Sequence, residues 1–277
     1  MNPEYVSTLL PAVEQAVMQA GEAIEGIYER EADWDVVIKS DDSPLTQADL
    51  ASHRVLCEAL EKLGEGWPVL SEESDPVDWS VRRRWPTYWL VDPLDGTKEF
   101  VGRTGEFTVN VALIHEHEPV MGVVGVPLTH TLYSAVQGKG AERVEKGQRQ
   151  RIVVAEPASP IRVLASRRSG VGEVDALLDK LASRGLRCER VSAGSSLKFC
   201  RIAEGAADFY PRLAPTSEWD TAAAQCVLEA AGGSVMDRAG QPLRYNTKAD
   251  LLNPFFYAWG GRPDLWCQWL GDAFTRR

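Results

Sequence analysis

The chain has 277 residues, of which 44% are hydrophobic and 25% charged, a composition typical of a globular protein. Its 40 acidic residues outnumber 30 basic ones, which gives a formal net charge of −10. This excess argues against a nucleic-acid polymer as a partner, because neutralising its phosphates requires clustered Lys and Arg. A small phosphorylated ligand is still compatible, provided that local cations or a bound metal offset the charge.

Cysteine spacing and hydropathy bear on the compartment. The five cysteines are widely spaced and form no Cys-X-X-Cys pair, which argues against a disulfide framework or a thiolate zinc site. The N-terminus lacks the pattern of a signal peptide, and no window approaches the ~18 apolar residues of a membrane span. We therefore expect a cytoplasmic protein without a transmembrane segment. Peripheral attachment to the cytoplasmic face of the inner membrane stays open, as does the oligomeric state.

The first half of the chain predicts two helices followed by an antiparallel sheet. Apolar residues at spacings of three and four predict a helix over residues 7–28. A second helix is expected over residues 46–63, with Thr46 as its N-cap. Strands are expected over residues 67–70, 88–91, 107–114, 120–126 and 131–136. The short links between the last three of these strands indicate antiparallel pairing, and the polar run 142–151 is expected to interrupt the pattern.

Beyond residue 150 strands and helices alternate. The expected strands are 161–164, 188–191, 207–210 and 234–236, and the expected helices are 174–182, 196–203 and 219–231. Such alternation indicates a largely parallel sheet. We therefore divide the chain into an α+β subdomain, residues 1–150, and an α/β subdomain, residues 151–277.

The segment Val-Asp-Pro-Leu-Asp-Gly-Thr, residues 91–97, carries the strongest functional signal. A strand delivers Asp92 to its C-terminal end, and Asp95 returns a second carboxylate within one turn. Gly96 and Thr97 then open a short helix with free backbone N–H groups. Two carboxylates beside such groups can hold a divalent metal together with phosphate oxygens. Taken alone, the segment also fits an ordinary Asp-Pro and Asp-Gly turn.

Three further acidic fragments lie at strand ends or helix starts. They are residues 39–49, residues 71–74 and residues 218–221. Each also has an ordinary explanation, as a loop with a capped helix, a solvated turn and an N-cap, respectively. Four such fragments in one chain of this length favour a shared acidic site.

The chain resembles the inositol monophosphatase superfamily of metal-dependent, lithium-sensitive phosphatases. Residues 92–97 match its DPxDGT motif, and residues 219–233 resemble its second signature, W-D-x-A-A followed by E-A-G-G. The four acidic fragments occur in the family's order, and the likeness extends from about Val13 to Tyr257. It implies a layered αβαβα sandwich of the α/β class, with an α+β N-terminal half and an α/β C-terminal half that form one catalytic unit.

Within the superfamily the resemblance is greatest to the bacterial 3'(2'),5'-bisphosphate nucleotidases. It is carried by residues 42–49, 98–100, 194–200 and 206–212. It implies magnesium-dependent hydrolysis of the 3'-phosphate of adenosine 3',5'-bisphosphate, which yields AMP and phosphate in sulfur metabolism. Sulfated analogues are further candidate substrates.

The resemblance also implies a role for each site residue. Two or three Mg²⁺ ions would be held by Glu72, Asp92, the backbone carbonyl of Leu94, Asp95 and Asp220. Asp49 and Thr97 would orient the attacking water, and the backbone of Gly96 and Thr97 would hold the scissile phosphate. The 5'-phosphate would be held by Ser195, Ser196, Lys198 and Arg212. Residues 1–150 would thus carry most metal ligands, and residues 151–277 would carry Asp220 and the nucleotide-recognition segment.

Several alternatives stay open at this point. The role of Glu73 is undecided, because neighbours in an extended segment point to opposite faces and Glu72 is assigned by its motif alone. The two serines 195 and 196 fit a simple helix cap, with Lys198 solvated. For the activity, the alternatives are an inositol-1-phosphate or fructose-1,6-bisphosphate phosphatase and, in another class, a non-catalytic phospholigand-binding protein. The intact set of acidic residues opposes the last of these.

Overall fold

The computed structural model describes residues 1–30, 34–38, 44–63, 65–165 and 171–271, which form two main sheets between layers of helices. The helices in these ranges are α1 Pro3–Tyr28, α2 Gln47–Glu61, α3 Trp79–Arg82, α4 Thr97–Val101, α5 Val171–Ser183, α6 Leu197–Ala203, α7 Ala222–Ala230 and α8 Pro263–Leu270. The strands are β1 Val37–Ile38, β2 Pro44–Leu45, β3 Val69–Ser71, β4 Thr87–Asp95, β5 Thr108–His115, β6 Glu118–Val126, β7 Thr131–Val136, β8 Gly140–Glu145, β9 Gln148–Ile152, β10 Ile161–Leu164, β11 Cys188–Val191, β12 Phe209–Arg212, β13 Ser234–Asp237 and β14 Phe256–Trp259.

Alternating residues of β5 show how the layers are built. Val111 packs into a core shared with α1 and α2, whereas its neighbour Ala112 packs into a core shared with α6 and α7. This alternation is what a strand buried on both faces produces. The second core also includes Ala258 of the five-stranded sheet, and the outer face of that sheet is covered by α5 and α8, which contribute Leu181 and Trp266. The order of layers is therefore α-β-α-β-α, as the family resemblance implies.

The seven-stranded sheet follows chain order, β3-β4-β5-β6-β7-β8-β9. Every neighbouring pair is antiparallel except β3 and β4, which run parallel. The predicted antiparallel pairing of the first half is confirmed. Strand β4 is longer than expected, because it continues through the acidic motif to Asp95.

The expectation that residues 142–151 interrupt the sheet is wrong. They form most of the hairpin β8–β9, whose turn places Lys146 and Gly147 in the left-handed region, at φ of 51° and 76° respectively. Two left-handed residues make the tight turn that matches the twist of a hairpin. The strand pattern was hidden because β9 is an exposed edge, where charged side chains prevent pairing with other chains.

The prediction of a largely parallel second sheet is also wrong in part. Its order is β11-β10-β12-β14-β13, with parallel pairs among the first three strands and antiparallel pairs at β12–β14 and β13–β14. Strand β14, which the sequence did not predict, follows a long connection instead of a crossover helix. Without a crossover helix, a strand is free to run antiparallel to its neighbour.

The remaining differences concern element ends. Helix α1 begins at Pro3, before the expected residue 7, because Asn2 caps it by accepting a hydrogen bond from the Glu4 N–H at 2.9 Å. The expected helix 219–231 is a 3₁₀ turn, Glu218–Asp220, followed by α7. None of the helices in the described ranges has both the length and the apolar character needed to cross a bilayer. The division into two subdomains at residue 150 stays a prediction.

Candidate active site

A bulge in β4 brings the two carboxylates of the central motif to one face of the sheet. Asp92 lies opposite Asn110 of β5, and Asp95 lies opposite Thr108. Three steps along β4 therefore match two along β5. In a regular strand, residues three apart point to opposite faces, but one extra residue in the ladder restores the same direction. Asp92 and Asp95 consequently line the same cavity.

Asp92 lies at the base of this cavity and is 1% exposed. Its Oδ1 atom accepts a hydrogen bond from the Leu94 N–H at 3.1 Å, while Oδ2 is buried without a hydrogen-bond partner among the described residues. Burial raises the pKa of Asp92 well above its ordinary value, and the charge of Glu72 raises it further. An orphaned buried carboxylate oxygen calls for a cation, which would reverse this shift.

The other predicted metal ligands surround Asp92. The Glu72 N–H donates to the carbonyl oxygen of Val91 at 3.1 Å, which fixes the end of β3 beside β4. Glu72 lines the cavity, whereas its neighbour Glu73 lies near His53, whose pKa is lowered by burial, with the charge of Glu73 acting in the opposite direction. This placement favours Glu72 over Glu73 as the ligand. Asp220 completes the group, and its pKa is raised by burial and by the charge of Asp95.

The cavity suits a hard divalent cation. Its volume is about 360 Å³, and its lining includes Glu72, Asp92, Leu94, Asp95, Gly96, Thr97 and Asp220. Among the described residues, no three His, Cys, Asp or Glu side chains lie in a group that could hold a metal ion as they stand, so the fit rests on the oxygen chemistry of the lining. Backbone donors orient two of the carboxylates, since Asp220 accepts from the Ser217 N–H at 2.9 Å and Asp95 from the Ser196 N–H at 2.5 Å. An open, all-oxygen site fits Mg²⁺, which normally retains several waters.

Asp49 and Thr97 meet at the edge of this cavity. The Thr97 hydroxyl donates to Oδ1 of Asp49 at 3.2 Å, with a longer contact to the carbonyl oxygen of Leu94 at 3.4 Å. Oδ2 of Asp49 accepts from the N–H and the hydroxyl of Thr46 at 2.8 and 2.6 Å, which forms the capping box of α2. The predicted cap at Thr46 is confirmed. The same contacts hold the Asp49 carboxylate in one orientation toward Thr97.

A second cavity, of about 470 Å³, adjoins the first. Its lining includes the predicted phosphate-binding residues Ser195, Ser196, Lys198 and Arg212, together with Tyr210. The two cavities share Asp95, Lys98, Glu99, Thr216 and Asp220. Asp95 and Asp220 therefore stand at the junction between a metal-compatible cavity and a cavity that carries Lys198 and Arg212, with Lys98 shared by both.

The cations of the second cavity are held in place by backbone oxygens. Lys198 is only 5% exposed, its ammonium donates to the carbonyl oxygen of Ser195 at 3.0 Å, and it lies 5.3 Å from the ring centroid of Tyr210. Arg212 donates to the carbonyl oxygens of Ala214 and Pro215 at 3.0 and 2.8 Å. The alternative of a solvated Lys198 is therefore wrong.

The two serines differ. Ser195 has a φ of 44°, in the left-handed region, and its buried Oγ atom has no hydrogen-bond partner among the described residues. Ser196 makes no side-chain cap on α6, so the alternative of a simple helix cap is also wrong. Its hydroxyl instead bonds Thr108 and Asn110, each at 2.7 Å. Of these two hydroxyls, that of Ser195 is the one left to bind a ligand.

A buried network supports the turn that carries Asp220. Arg82 donates to Oδ1 of Asn246 at 2.6 Å, and also to the carbonyl oxygen of Ala249. The Asn246 N–H donates in turn to Oε2 of Glu218 at 2.8 Å, two residues before Asp220. Residues far apart in sequence thus fix the turn 218–220 against α3.

Sequence reasoning assigned no role to several residues of the two cavities. Lys98 and Glu99 line both, and their position directly after the central motif was the available signal. Thr216 also lines both, and nothing in its local sequence marks it. Asn110, which bonds Ser196 behind the second cavity's lining, could have been noticed as a polar residue within an apolar strand. Asp41 and Asp42, which belong to the acidic fragment 39–49, lie outside the described residues.

Known proteins resemble this chain over nearly its whole length. It is 47% identical to the 3'(2'),5'-bisphosphate nucleotidase CysQ of Escherichia coli (strain K12) over 248 residues, which cover 90% of this chain and 98% of that protein. The crystal structure of CysQ from Bacteroides thetaiotaomicron matches with a TM-score of 0.80 at 42% identity, covering 91% of this chain and 96% of that one. The inositol monophosphatase from Anabaena (Nostoc) sp. PCC 7120 matches with a TM-score of 0.74 at 25% identity, covering 97% of each chain.

A family model adds the most general comparison. The model described as "Inositol monophosphatase family" matches residues 6–260, a range that contains both cavities and all the site residues discussed above. Together with the two CysQ proteins, this match is decisive: the chain belongs to the inositol monophosphatase family.

Proposed function

We propose that the protein is a magnesium-dependent 3'(2'),5'-bisphosphate nucleotidase that converts adenosine 3',5'-bisphosphate into AMP and phosphate. The observation that carries the proposal is the junction of the two cavities at Asp95 and Asp220. One cavity offers carboxylates for a metal, and the other offers Lys198 and Arg212, beside the shared Lys98, for a second phosphate. A reaction on one phosphate beside a recognised second phosphate needs this arrangement. The names of the similar proteins support the same activity.

The reacting phosphate would lie in the carboxylate cavity. There Glu72, Asp92, the carbonyl of Leu94, Asp95 and Asp220 would hold the Mg²⁺ ions, two or three in number. Bound Mg²⁺ would lower the pKa of water and offset charge on the phosphoryl oxygens. The backbone of Gly96 and Thr97, where α4 begins after a left-handed glycine, would hold the phosphate.

Asp49 and Thr97 would position the attacking water. Because the Thr97 hydroxyl donates a hydrogen bond to Asp49, its lone pairs are left to accept a hydrogen bond from the water. The water oxygen would form a bond to phosphorus in line with the breaking bond to the 3' oxygen, and no covalent enzyme intermediate is required.

The second phosphate would bind in the other cavity, near Ser195, Lys198 and Arg212. It does not react, so its binding energy can be used to place the 3'-phosphate correctly. Sulfated nucleotides carry a similar anionic group and belong to the same proposal as candidate substrates. A cytoplasmic site of action is part of it too, since the widely spaced cysteines suit a reducing compartment.

A substrate panel with Mg²⁺ tests this function. We expect kcat/KM for adenosine 3',5'-bisphosphate to exceed the value for inositol-1-phosphate, which lacks a second phosphate, by roughly tenfold or more, as one additional charge-assisted contact predicts. Phosphate release is the measurement. A preference for inositol-1-phosphate would overturn the nucleotide assignment, and no release from any substrate would favour a binding protein.

Lys198→Ala separates second-phosphate recognition from catalysis. We expect kcat/KM for the bisphosphate to fall about tenfold or more, because one charge-assisted contact is worth ~1.5–3 kcal/mol. The loss for 3'-AMP, which lacks the 5'-phosphate, should be much smaller. The matched control is Lys62→Ala, which removes an exposed lysine after α2 and should change neither value. Equal losses on both substrates would instead assign Lys198 to the fold or the metal site.

Removal of metal should abolish turnover. We expect excess chelator to stop phosphate release and added Mg²⁺ to restore it, because the carboxylate cavity otherwise repels an anionic substrate. Lithium should inhibit by replacing Mg²⁺ at the more weakly held position. Full activity in excess chelator would refute the metal mechanism, whereas insensitivity to lithium would refute only that part of the proposal.

A further inference from the structure

A buried polar bridge connects β5 to the start of α6. The Ser196 hydroxyl donates to Oδ1 of Asn110 at 2.7 Å and shares a second hydrogen bond of 2.7 Å with the Thr108 hydroxyl. The Asn110 amide donates to the Thr108 hydroxyl at 3.3 Å. All three side chains are at most 2% exposed. We call these three residues the Asn110–Ser196 bridge.

The bridge reaches both cavities. It lies beside the carboxylates because β5 pairs with β4, which places Asn110 opposite Asp92 and Thr108 opposite Asp95. The Ser196 N–H donates to Oδ2 of Asp95 at 2.5 Å. Helix α6 begins at the next residue, so the position of Ser196 also determines where Lys198 stands.

The rest of β5 shows that polar side chains are not needed for stability at this position in the sheet. From Val111 to Ile114 the strand is apolar and fully buried between two cores. Apolar side chains at positions 108 and 110 would suit that setting without any need for hydrogen-bond partners. A buried polar group is tolerated only when its partners are placed correctly, and a fully satisfied network then specifies one geometry.

We propose that Asn110 and Ser196 are positioning residues that hold the second-phosphate cavity in register with the carboxylate cavity. The bridge keeps Ser195 and Lys198 at a set distance from Asp95, so that a substrate bound by its 5'-phosphate presents its 3'-phosphate to the reacting site. This inference rests on the proposed function for its substrate, and it reassigns Ser196 from substrate contact to support.

The test combines three variants with one control. Ser196→Ala and Asn110→Ala each remove one side of the bridge, and the double variant removes both. The control is Ser134→Ala. It removes a buried serine hydroxyl of strand β7, which donates a hydrogen bond to Glu14 at 2.6 Å. Thermal unfolding is measured first, to check that each variant is folded. The first readout is the Kd for AMP, which carries a 5'-phosphate, measured by calorimetry in chelator so that no metal contributes.

We expect each single variant to weaken AMP binding about tenfold, the effect of misplacing one charge-assisted contact. The double variant should lose little more than either single variant, because the two side chains belong to one hydrogen-bond network and either change disrupts it. With Mg²⁺ present, kcat/KM should fall more for the bisphosphate than for 3'-AMP. Ser134→Ala should lose stability but bind AMP as the wild type does.

The outcomes distinguish this inference from the proposed function. Unchanged AMP affinity in Ser196→Ala, additive losses in the double variant, or an equal loss in Ser134→Ala would each overturn the positioning role. If the wild type hydrolyses the bisphosphate in those cases, the proposed function stands. Conversely, a wild type that does not hydrolyse it, but whose AMP affinity depends on the bridge as expected, would overturn the proposed function alone.

Discussion

Asp92→Asn should reduce turnover by roughly a thousandfold or more, equivalent to ~4 kcal/mol of lost transition-state stabilisation. Asp92 lines the carboxylate cavity, and its buried Oδ2 atom has no hydrogen-bond partner among the described residues. Loss of its charge would weaken the binding of every cation that it contacts. The measurement is kcat for adenosine 3',5'-bisphosphate at saturating Mg²⁺.

The same variant should remain folded and, in chelator, gain stability. Burial and the nearby carboxylate of Glu72 raise the pKa of Asp92, so the ionised group disfavours the folded state at neutral pH. An acid whose pKa is higher in the folded state than in the unfolded state lowers the stability of the fold at every pH above its unfolded pKa. The neutral Asn side chain removes this destabilisation. Thermal unfolding in chelator should therefore show an increased Tm for Asp92→Asn.

A matched control is available in Asp208, which is as buried as Asp92 at 1% exposure. Its carboxylate pairs with Arg162, with an Nη2–Oδ1 distance of 2.7 Å, and it lies outside both cavities. Asp208→Asn should lose stability but keep its activity, the reverse of the pattern expected for Asp92→Asn. Appreciable turnover by a folded, metal-saturated Asp92→Asn protein would contradict the assignment of Asp92.

Thr97→Val should lower kcat by about a hundredfold or more, within the range expected for a group that positions a proton transfer. Valine has nearly the shape of threonine but cannot donate to Asp49 or accept from the attacking water. KM should change little, because the side chain is not proposed to bind the substrate. The measurement is the pair of kcat and KM values on adenosine 3',5'-bisphosphate.

Thr97→Ser supplies the control, since it keeps the hydroxyl and should restore most of the lost kcat. Thr97 is a sharper target than Asp49, because Asp49 also accepts two hydrogen bonds from Thr46 in the cap of α2. A change at Asp49 would disturb that helix together with the reaction. Equal kcat values for the valine variant and the wild type would show that the Thr97 hydroxyl has no part in catalysis.

Local chemistry was enough to predict many of the elements. The cap at Thr46 and the apolar stripe of α2 lie within one segment, so the sequence alone determines where that helix begins. Strand β7 was predicted with its observed bounds, Thr131–Val136, because it is a continuous run of buried residues between turns. The motif at residues 92–97 likewise marks the site in a single stretch of chain.

The direction of the site side chains was decided by tertiary structure. Asp92 and Asp95 share a face only because β4 gains one residue against β5, and Glu72 was separable from Glu73 only once β3 lay beside β4. The hydroxyl of Ser196 points inward because Asn110, which lies 86 residues earlier in the chain, accepts its hydrogen bond. Capping and periodicity act over a few residues and can be read locally. A bulge, a shared cavity and a buried hydrogen bond depend on partners that are distant in sequence, and only the packed fold brings those partners together.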